Sequence, residues 1–248
     1  MTINENDISL SAVESVKSEL QTKACSQHAS ALSRYFKTGP GQYGEGDIFI
    51  GVRMPDIRKV ASTHRKLSLT EVILLLKSTI HDERLCALVI LTEQFIVSTE
   101  RGKKQIYDAY LSHTTHINNW DLVDISAHKI VGAYLHEAPK SYAEETLQCL
   151  ANSDDIWERR IAIIATAYFI QRDRFNETIN TAKVLLNDDH DLIHKAVGWM
   201  LREVGKRDQD VEMKFLRRHY KQMPRTMLRY AIEKFPEKIR RRFLKGEI

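Results

Sequence analysis

Three residues with catalytic or anion-binding side chains recur at related positions in this sequence, and two tryptophans accompany them. Asp124, Arg160 and Lys195 follow one another at intervals of 36 and 35 residues. Trp120 precedes Asp124 by four residues and Trp199 follows Lys195 by four, which in a helix places each tryptophan one turn away on the same face. A carboxylate and the face of an indole ring both attract a cation, whereas arginine and lysine attract anions such as phosphate. Together these residues provide one acid, two bases and two aromatic faces.

The elements that carry these residues are predicted to be helices. Apolar residues recur at i, i+3 and i+4 in residues 69–76, 85–95, 156–170 and 192–201. No convincing run alternates between apolar and polar residues as a half-buried strand does. The low counts of glycine (10) and proline (5) exclude collagen-like, Pro-rich and wholly disordered proteins. The sequence therefore predicts an all-α protein.

A repeat relates the helices to one another. Alignment of five similar segments places Cys86, Asp124, Arg160, Lys195 and Tyr230 at one helix position, with steps of 38, 36, 35 and 35 residues. A period of this size is typical of solenoids of helix pairs such as HEAT repeats. Because equivalent positions lie on neighbouring helices about 8–10 Å apart, we expect Asp124, Arg160 and Lys195 to line one concave surface. The aligned segments are HDERLCALVIL from 81, NNWDLVDISAHKIV from 118, SDDIWERRIAIIA from 153, HDLIHKAVGWML from 190 and PRTMLRYAIEKF from 224.

The N-terminal part of the chain departs from this repeat. Residues 8–37 are predicted to form two helices, and half of the glycines then fall in GPGQYGEGDIFIG at 39–51. Such a stretch can cradle phosphate through backbone N–H groups. Because GK[ST] and a preceding strand are missing, a loop leading to a helix that begins at Pro55 is the favoured interpretation. We expect one domain, with the helix pair and loop in residues 1–50 and the repeats and basic C-terminal helices in 51–248.

Positive charge is concentrated at the C-terminal end of the chain. The net charge of the whole sequence is +4, but residues 206–248 contain 14 Lys/Arg and six Asp/Glu, so that the remainder has a net charge of −4. A polyanionic partner and a solvated helix face both account for this distribution.

Several classes of protein are disfavoured by what the sequence lacks. No apolar run approaches the roughly 18 residues of a membrane-spanning helix, and MTINENDISL has no basic and apolar regions of a secretory signal. Cys25, Cys86 and Cys149 are widely spaced, without a CxxC pair, which favours reduced thiols in the cytoplasm over a disulfide framework. Terminal repeats with polar outer faces suit a monomer.

Five short motifs between about residues 30 and 206 resemble those of the DNA alkylation repair family, the AlkD-like DNA glycosylases with HEAT-like repeats. The segments resembling W-D-x-x-D and K-A-x-G-W-x-L-R-E are distinctive when they occur together. The motifs are Arg34-Tyr35, Gly51-x-x-x-Pro55-x-x-Arg58, Asn119-Trp120-Asp121-x-x-Asp124, Asp155-Ile156-Trp157-x-x-Arg160 and Lys195-Ala196-x-Gly198-Trp199-x-Leu201-Arg202-Glu203.

The resemblance implies a fold, a reaction and roles for particular residues. The fold would be a right-handed superhelical solenoid with a concave face that binds duplex DNA. The reaction would be hydrolysis of the N-glycosidic bond of cationic N3- or N7-alkylated purines, without a cofactor or metal and without drawing the base into a pocket. Asp124 would be catalytic, Trp120, Trp199 and Tyr35 would contact the substrate, and Arg160 and Lys195 would bind DNA phosphates.

The sequence also departs from the family pattern. The family archetype has two aromatic residues just before the segment that matches Lys195, whereas Asp191 and Leu192 stand there in this chain. The loop at 39–50 is longer and richer in glycine. These differences concern the grip on DNA and the substrate range more than the reaction itself.

A single carboxylate is sufficient for the implied reaction. A purine alkylated at N3 or N7 is already cationic and leaves as a neutral base, so the leaving group needs no general acid. Positive charge moves to the deoxyribose as the bond breaks, and a carboxylate beside the sugar stabilises it and holds the attacking water. At about 4 Å and an effective dielectric constant of about 20, this attraction is worth on the order of 4 kcal/mol. Uncharged lesions are expected to react poorly.

Other interpretations of the same residues remain open. Asp124 could be a surface acid or the ion-pair partner of a base on the adjacent repeat, and the tryptophans beside it could be core residues. We assign Trp157 to the core, and we interpret Asp121 as a capping or salt-bridging acid. His113 and His116 have the spacing of metal ligands but lack a third ligand. At the level of the whole chain, a solenoid that binds distorted DNA without catalysis and a scaffold for a partner protein are the alternatives.

Overall fold

The computed structural model describes the backbone of residues 5–248 and the side chains of residues 12–248, and helices dominate both. Within residues 5–248 no strand forms beyond one isolated parallel bridge between Ile48 and Ile80, which confirms the prediction of an all-α protein. The α-helices, in chain order, are α1 (Glu5–Gln21), α2 (Ser26–Tyr35), α3 (Met54–Thr63), α4 (Leu69–Leu76), α5 (His81–Val97), α6 (Glu100–Leu111), α7 (Trp120–Ala127), α8 (Ala133–Glu137), α9 (Lys140–Ala151), α10 (Ile156–Ala165), α11 (Ala167–Ile170), α12 (Asn176–Val184), α13 (Asp191–Arg207), α14 (Gln209–His219), α15 (Arg225–Ala231) and α16 (Glu237–Lys245).

Short helical turns of other types connect some of these helices. The segments Thr114–His116, Leu185–Asn187 and Ile232–Lys234 are 3₁₀ turns. His128–Gly132 forms a π-helical turn directly after α7. A π-helical turn is rare and interrupts the regular i to i−4 hydrogen bonding of an α-helix.

The chain divides into two compact units, Met1–Ser126 and Ala127–Ile248. In the first unit, α3 and α4 pack against α5, and α1 packs against α3 and α4. The central part of α5, including Cys86, Leu88, Ile90 and Leu91, is fully buried because neighbouring helices cover it on several sides. The two helices predicted within residues 8–37 are confirmed as α1 and α2. The helix predicted to begin at Pro55 is α3, which begins one residue earlier.

The second unit is built around α13. This helix packs against α10, α12, α14 and α15, while α10 packs against α9 and the π-helical turn. Gly198 of α13 lies so close to α15 that a Cβ atom built on it would be 2.4 Å from the Met227 carbonyl oxygen. Ile161, Val197 and Leu201 form part of the buried core. Successive helix pairs therefore stack side by side within this unit, as HEAT-like repeats do.

The helix register of the predicted repeat agrees with the structure. Cys86, Asp124, Arg160, Lys195 and Tyr230 are each the fifth or sixth residue of their helix, in α5, α7, α10, α13 and α15 respectively. Their exposure differs, because Cys86 and Arg160 are buried whereas the others are half-buried or exposed. The single domain, the right-handed superhelix and the concave face that gathers Asp124, Arg160 and Lys195 stay predictions.

Candidate active site

The candidate catalytic acid lies in the first turns of α7. Trp120 is the first residue of this helix and Asp124 lies one turn later, and both are half-buried. The side-chain oxygen of buried Asn119 accepts a hydrogen bond from the Trp120 N–H at 2.8 Å. Asp121 Oδ1 accepts one from the Leu122 N–H at 2.9 Å. The start of the helix is thus fixed by polar side chains that bind its unsatisfied N–H groups.

Aromatic side chains surround Trp120 in the first unit. Its indole ring stacks on Phe36 with the ring centres 4.9 Å apart, and Tyr35 meets it edge-on at 5.8 Å. The indole Nε1–H donates a hydrogen bond to the Tyr43 hydroxyl at 3.3 Å. Tyr35 is 64% exposed, so an aromatic surface is presented beside a half-buried indole. The structure therefore brings together two residues, Tyr35 and Trp120, for which the resemblance implies contact with the substrate.

A buried network of charges joins the Gly-rich segment to α5 and α7. His81, the first residue of α5, has Nδ1 3.1 Å from Asp47 Oδ2 and Nε2 2.8 Å from Asp121 Oδ2. Arg84 donates a hydrogen bond from Nη2 to Asp47 Oδ1, and Asn119 donates one from Nδ2 to Asp47 Oδ2 at 2.9 Å. The side chains of His81, Arg84 and Asp47 are at most 4% exposed, so this network lies in the interior.

The network raises the pKa of one partner and lowers that of another. Burial by itself lowers the pKa of His81, but hydrogen bonds and attraction from Asp121 and Asp47 outweigh it and raise this pKa to about 9. Burial raises the pKa of the Asp47 carboxyl, but His81, Arg84 and Asn119 together hold it below its usual value. At neutral pH the histidine is therefore an imidazolium and Asp47 is a carboxylate.

The charge of the Asp124 carboxylate affects the pKa of a buried tyrosine in the first unit. The hydroxyl of fully buried Tyr110 lies 2.9 Å from the Ser126 hydroxyl oxygen. Burial raises the pKa of Tyr110, and although the bond with Ser126 lowers it, the negative charge of Asp124 raises it further. Asp124 thus lies within electrostatic range of a buried phenol while remaining half-exposed.

The three candidate residues of the second unit have intramolecular partners. Arg160 is 5% exposed and donates a hydrogen bond from Nη1 to the Leu192 carbonyl oxygen at 2.6 Å. Lys195 Nζ is 2.7 Å from Asp191 Oδ2, and this contact holds the pKa of Asp191 below its usual value against the opposing effect of burial. The half-buried Trp199 donates a hydrogen bond from Nε1 to Glu203 Oε1 at 3.1 Å.

The predicted site residues thus form two groups, one in each unit. Tyr35, Trp120 and Asp124 belong to the first unit, and α7 carries the last two. Arg160, Lys195 and Trp199 belong to the second unit, where Arg160 of α10 binds a backbone oxygen near the start of α13. That all six residues serve one reaction stays a prediction.

Two structural assignments made from the sequence are confirmed. Trp157 is 6% exposed and lies in the core of the second unit. Asp121 is a salt-bridging acid, since its Oδ2 binds His81.

Sequence reasoning missed most of the buried network. Asp47 lies in the segment interpreted as a loop, and His81 opens one of the aligned repeat segments without having been considered as a functional residue. The bonded partners are 34 to 72 residues apart in sequence, so local spacing carries no signal for them. The available signal was the position of His81 at the start of a predicted helix, where polar side chains cap or join helices.

Other types of site find little support in the described part of the chain. Among residues 12–248 no three His, Cys, Asp or Glu side chains are grouped so that they could hold a metal ion, and the His113 and His116 rings are 6.4 Å apart. None of the described helices combines the length and the apolar character that crossing a bilayer requires.

Stacked helix pairs with a repeat of about 35 residues place the chain among all-α repeat proteins. A family model described as DNA alkylation repair enzyme matches residues 16–235. The chain therefore belongs to the family of DNA alkylation repair enzymes.

Solved structures show the same fold at low sequence identity. A predicted DNA alkylation repair enzyme from Enterococcus faecalis superposes with a TM-score of 0.68 and 15% identity, covering 88% of this chain and 99% of that one. AlkD2 from Streptococcus mutans gives a TM-score of 0.56 and 16% identity, covering 92% of this chain and 99% of that one. No curated protein matches this sequence.

Proposed function

We propose that this protein is a DNA glycosylase that hydrolyses the N-glycosidic bond of cationic N3- or N7-alkylated purines in duplex DNA. One observation carries the proposal. In a chain of the DNA alkylation repair family, Asp124 lies one turn after Trp120 on a helix whose start is held by a buried network. The indole is in contact with the exposed Tyr35 ring, and the Asp124 carboxylate follows one helical turn later.

Asp124 would act on the sugar and not on the base. The alkylated purine leaves as a neutral molecule, so the electron pair of the glycosidic bond neutralises the charge that the base carried. The sugar becomes an oxocarbenium-like cation, which the Asp124 carboxylate stabilises while it orients a water for attack at the anomeric carbon. An attraction on the order of 4 kcal/mol that exists only in the transition state corresponds to roughly a thousandfold in rate.

The aromatic residues would hold the nucleotide that carries the lesion. The negative faces of Trp120, Trp199 and Tyr35 attract a cation, whether it is the alkylated base or the developing sugar cation. The stacking of Trp120 on Phe36 and its hydrogen bond with Tyr43 fix the indole before substrate binds. Such preorganisation reduces the conformational freedom lost on binding.

Cationic residues would bind the phosphates without reading sequence. Lys195 is the stronger of the two candidates, because it is partly exposed and its partner Asp191 is a surface acid. Arg160 is buried against the Leu192 carbonyl oxygen, so its guanidinium reaches a phosphate only if the side chain moves. The excess positive charge of residues 206–248 would add attraction at longer range. We place this reaction in the cytoplasm and assign it to a monomer.

The test is release of methylated purines from alkylated duplex DNA by wild type and Asp124→Asn. We expect release by the wild type and at least a hundredfold slower release by the variant, with duplex binding changed by less than about threefold. Asp108→Asn is the matched control, because Asp108 is an exposed acid of the same unit that pairs with Lys104 on the surface. An inactive wild type or an unimpaired Asn variant contradicts the proposal.

The second candidate is a repeat protein that binds DNA without cleaving the glycosidic bond. Two observations favour it, namely the basic C-terminal segment and the Asp191–Lys195 ion pair at the place where the family archetype has aromatic residues. This candidate predicts salt-sensitive duplex binding by wild type with no release of base. Lack of binding at low salt would exclude both functions.

A further inference from the structure

Residues 47–52, at the end of the Gly-rich stretch, are attached to the first turn of α5 through both backbone and side-chain hydrogen bonds. The His81 N–H donates a hydrogen bond to the Ile48 carbonyl oxygen at 2.8 Å. The buried Asp82 carboxylate accepts hydrogen bonds from the Ile50 N–H at 2.9 Å and the Val52 N–H at 2.7 Å. The segment 47–52 is thus fixed to one helix end and does not behave as a loose connection.

His81 extends this attachment to α7. Its two ring nitrogens face Asp47 of the segment and Asp121 of α7, and both facing atoms are carboxylate oxygens. Each nitrogen must carry a proton to donate to its carboxylate, and only the imidazolium has two N–H donors. The charged groups that act on the ring are Asp47 from the segment and Asp121 from α7, and Arg84 of its own helix pairs with Asp47.

We call the two hydrogen bonds of His81, to Asp47 and to Asp121, the clamp. Loss of one proton from the imidazolium would break one of them. A ring nitrogen without a proton places its lone pair against a carboxylate oxygen, which is unfavourable in a buried position. The buried Asp47 still has Arg84 as a cationic partner. Asp121 is the partner that can turn toward water, because its side chain is 19% exposed whereas that of Asp47 is 4% exposed. The bond that opens is therefore the one between His81 and α7.

Trp120 is connected to the clamp both through its neighbours in sequence and through its own side chain. Its neighbours in sequence, Asn119 and Asp121, bind Asp47 and His81 respectively. Its indole N–H donates a hydrogen bond to the hydroxyl of Tyr43, which precedes Asp47 in the Gly-rich stretch. A change in the bond between His81 and Asp121 therefore alters the surroundings of the indole ring.

We infer that His81 is a positioning residue for the proposed reaction, its imidazolium clamping the segment 47–52 to the start of α7 and so orienting Trp120 and Asp124 toward the substrate. The reaction part of this inference rests on the proposed function. The clamp itself is a property of the free protein and is tested without DNA.

The first measurement is fluorine NMR of protein containing 5-fluorotryptophan. The sequence has three tryptophans, so three resonances are assigned with single Trp→Phe variants. We expect the Trp120 resonance to shift with a midpoint near pH 9, the pKa to which the two carboxylates raise His81 against the effect of burial. The resonance of Trp157, in the core of the second unit, serves as the internal control and should not follow this titration.

Variants connect the shift to His81. In His81→Gln the chemical shift of Trp120 should be independent of pH between 8 and 10. It should equal the value that the wild type reaches at alkaline pH. Asp121→Asn keeps a hydrogen-bond acceptor but removes one charge, so the midpoint should move at least one unit lower. Tyr43→Phe should retain the titration, which excludes the Tyr43 phenol as its source. Asp108→Asn is the control for loss of a surface acid and should leave the midpoint unchanged.

The second measurement is single-turnover base release as a function of pH. We expect the wild-type rate to fall at least fivefold between pH 7.5 and 9.5, whereas the His81→Gln rate is low and independent of pH. A Trp120 resonance that ignores this pH range in wild type, or an unaltered midpoint in Asp121→Asn, overturns the clamp. A normal fluorine titration in a wild type that releases no base leaves the clamp standing and overturns the proposed function.

Discussion

Two acids three residues apart on α7 have different surroundings. Asp121 binds the buried imidazolium of His81, whereas Asp124 is half-exposed beside Trp120 and its charge raises the pKa of buried Tyr110. In sequence the two residues are the same amino acid in one short motif. Because of these environments, Asp121 holds the start of α7 in place, and Asp124 is the candidate catalytic acid.

At the residue scale, His81 predicts a pH dependence of stability. Its pKa of about 9 in the folded protein exceeds the ordinary value of 6.5. The stabilisation from its protonated form is therefore complete below about pH 6.5 and is lost as the pH rises through about 9. Between pH 6 and 9.5 the wild type should lose on the order of 3 kcal/mol more unfolding free energy than His81→Gln in denaturant titrations. An equal loss in both proteins would exclude His81 as the cause.

At the scale of elements, α13 makes a close contact with the backbone of α15 at Gly198. A Cβ on Gly198 would be 2.4 Å from the Met227 carbonyl oxygen and 2.5 Å from the Tyr230 Cβ. Gly198→Ala must therefore push α13 and α15 apart, and we expect an unfolding free energy lower by about 2 kcal/mol or more. Helix propensity alone predicts the opposite, a gain of about 1 kcal/mol. Chemical denaturation distinguishes the two outcomes.

A second prediction concerns the contact between α14 and α13. Glu212 is 3% exposed, and burial raises its pKa to about 8 although Arg202 lowers it. Because this pKa exceeds the ordinary 4.5, the folded state binds a proton that the unfolded state releases, and stability falls as the pH rises from about 4.5 to 8. Glu212→Gln should raise the melting temperature at pH 8.5 by about 5 °C and change it little at pH 4.

The control for Glu212 is a glutamate in a solvated position. Glu144 is 45% exposed and pairs with Lys140 on α9. Glu144→Gln should leave the melting temperature within about 1 °C of wild type at both pH values, since exposed ion pairs contribute little. A rise at pH 8.5 in both variants would mean that net charge, and not burial of Glu212, sets the effect.

At the scale of the whole molecule, the uneven charge predicts how duplex DNA is bound. Lys238, Arg241 and Lys245 are exposed on α16 at spacings of three and four residues, and thus share a helix face. Replacing all three with alanine should reduce the slope of log K against log salt concentration by about 1 to 3 and weaken binding of any duplex sequence. Fluorescence anisotropy at several salt concentrations measures both.

A second triple variant separates local charge from total charge. Arg101, Lys103 and Lys104 lie on α6 in the first unit, and the two lysines pair with Glu100 and Asp108. Alanine at all three positions removes the same charge, yet the slope should change by less than half as much. Equal effects of the two triples would indicate attraction to the net charge of the protein without a contribution from the C-terminal segment.

Much of the architecture could be predicted from the sequence because it is local and periodic. Apolar spacing identified the helices, and the alignment of Cys86, Asp124, Arg160, Lys195 and Tyr230 found the correct turn in five of them. The start of α3 was displaced by one residue, since Met54 has a helical backbone although Pro55 is the stronger sequence signal. Exposure within the repeat was not predicted, because it depends on which helices cover each position.

The helices, their repeat, the family motifs and the position of Asp124 one turn after Trp120 follow from the sequence, because all of these depend on residues close together in the chain. The packing of the helices was needed to show that His81 binds both Asp47 and Asp121, that Arg160 is buried, and that Tyr35 contacts Trp120. These contacts join residues 34 to 85 positions apart. Their formation depends on how whole helices pack, and the pKa of each group depends in turn on that packing.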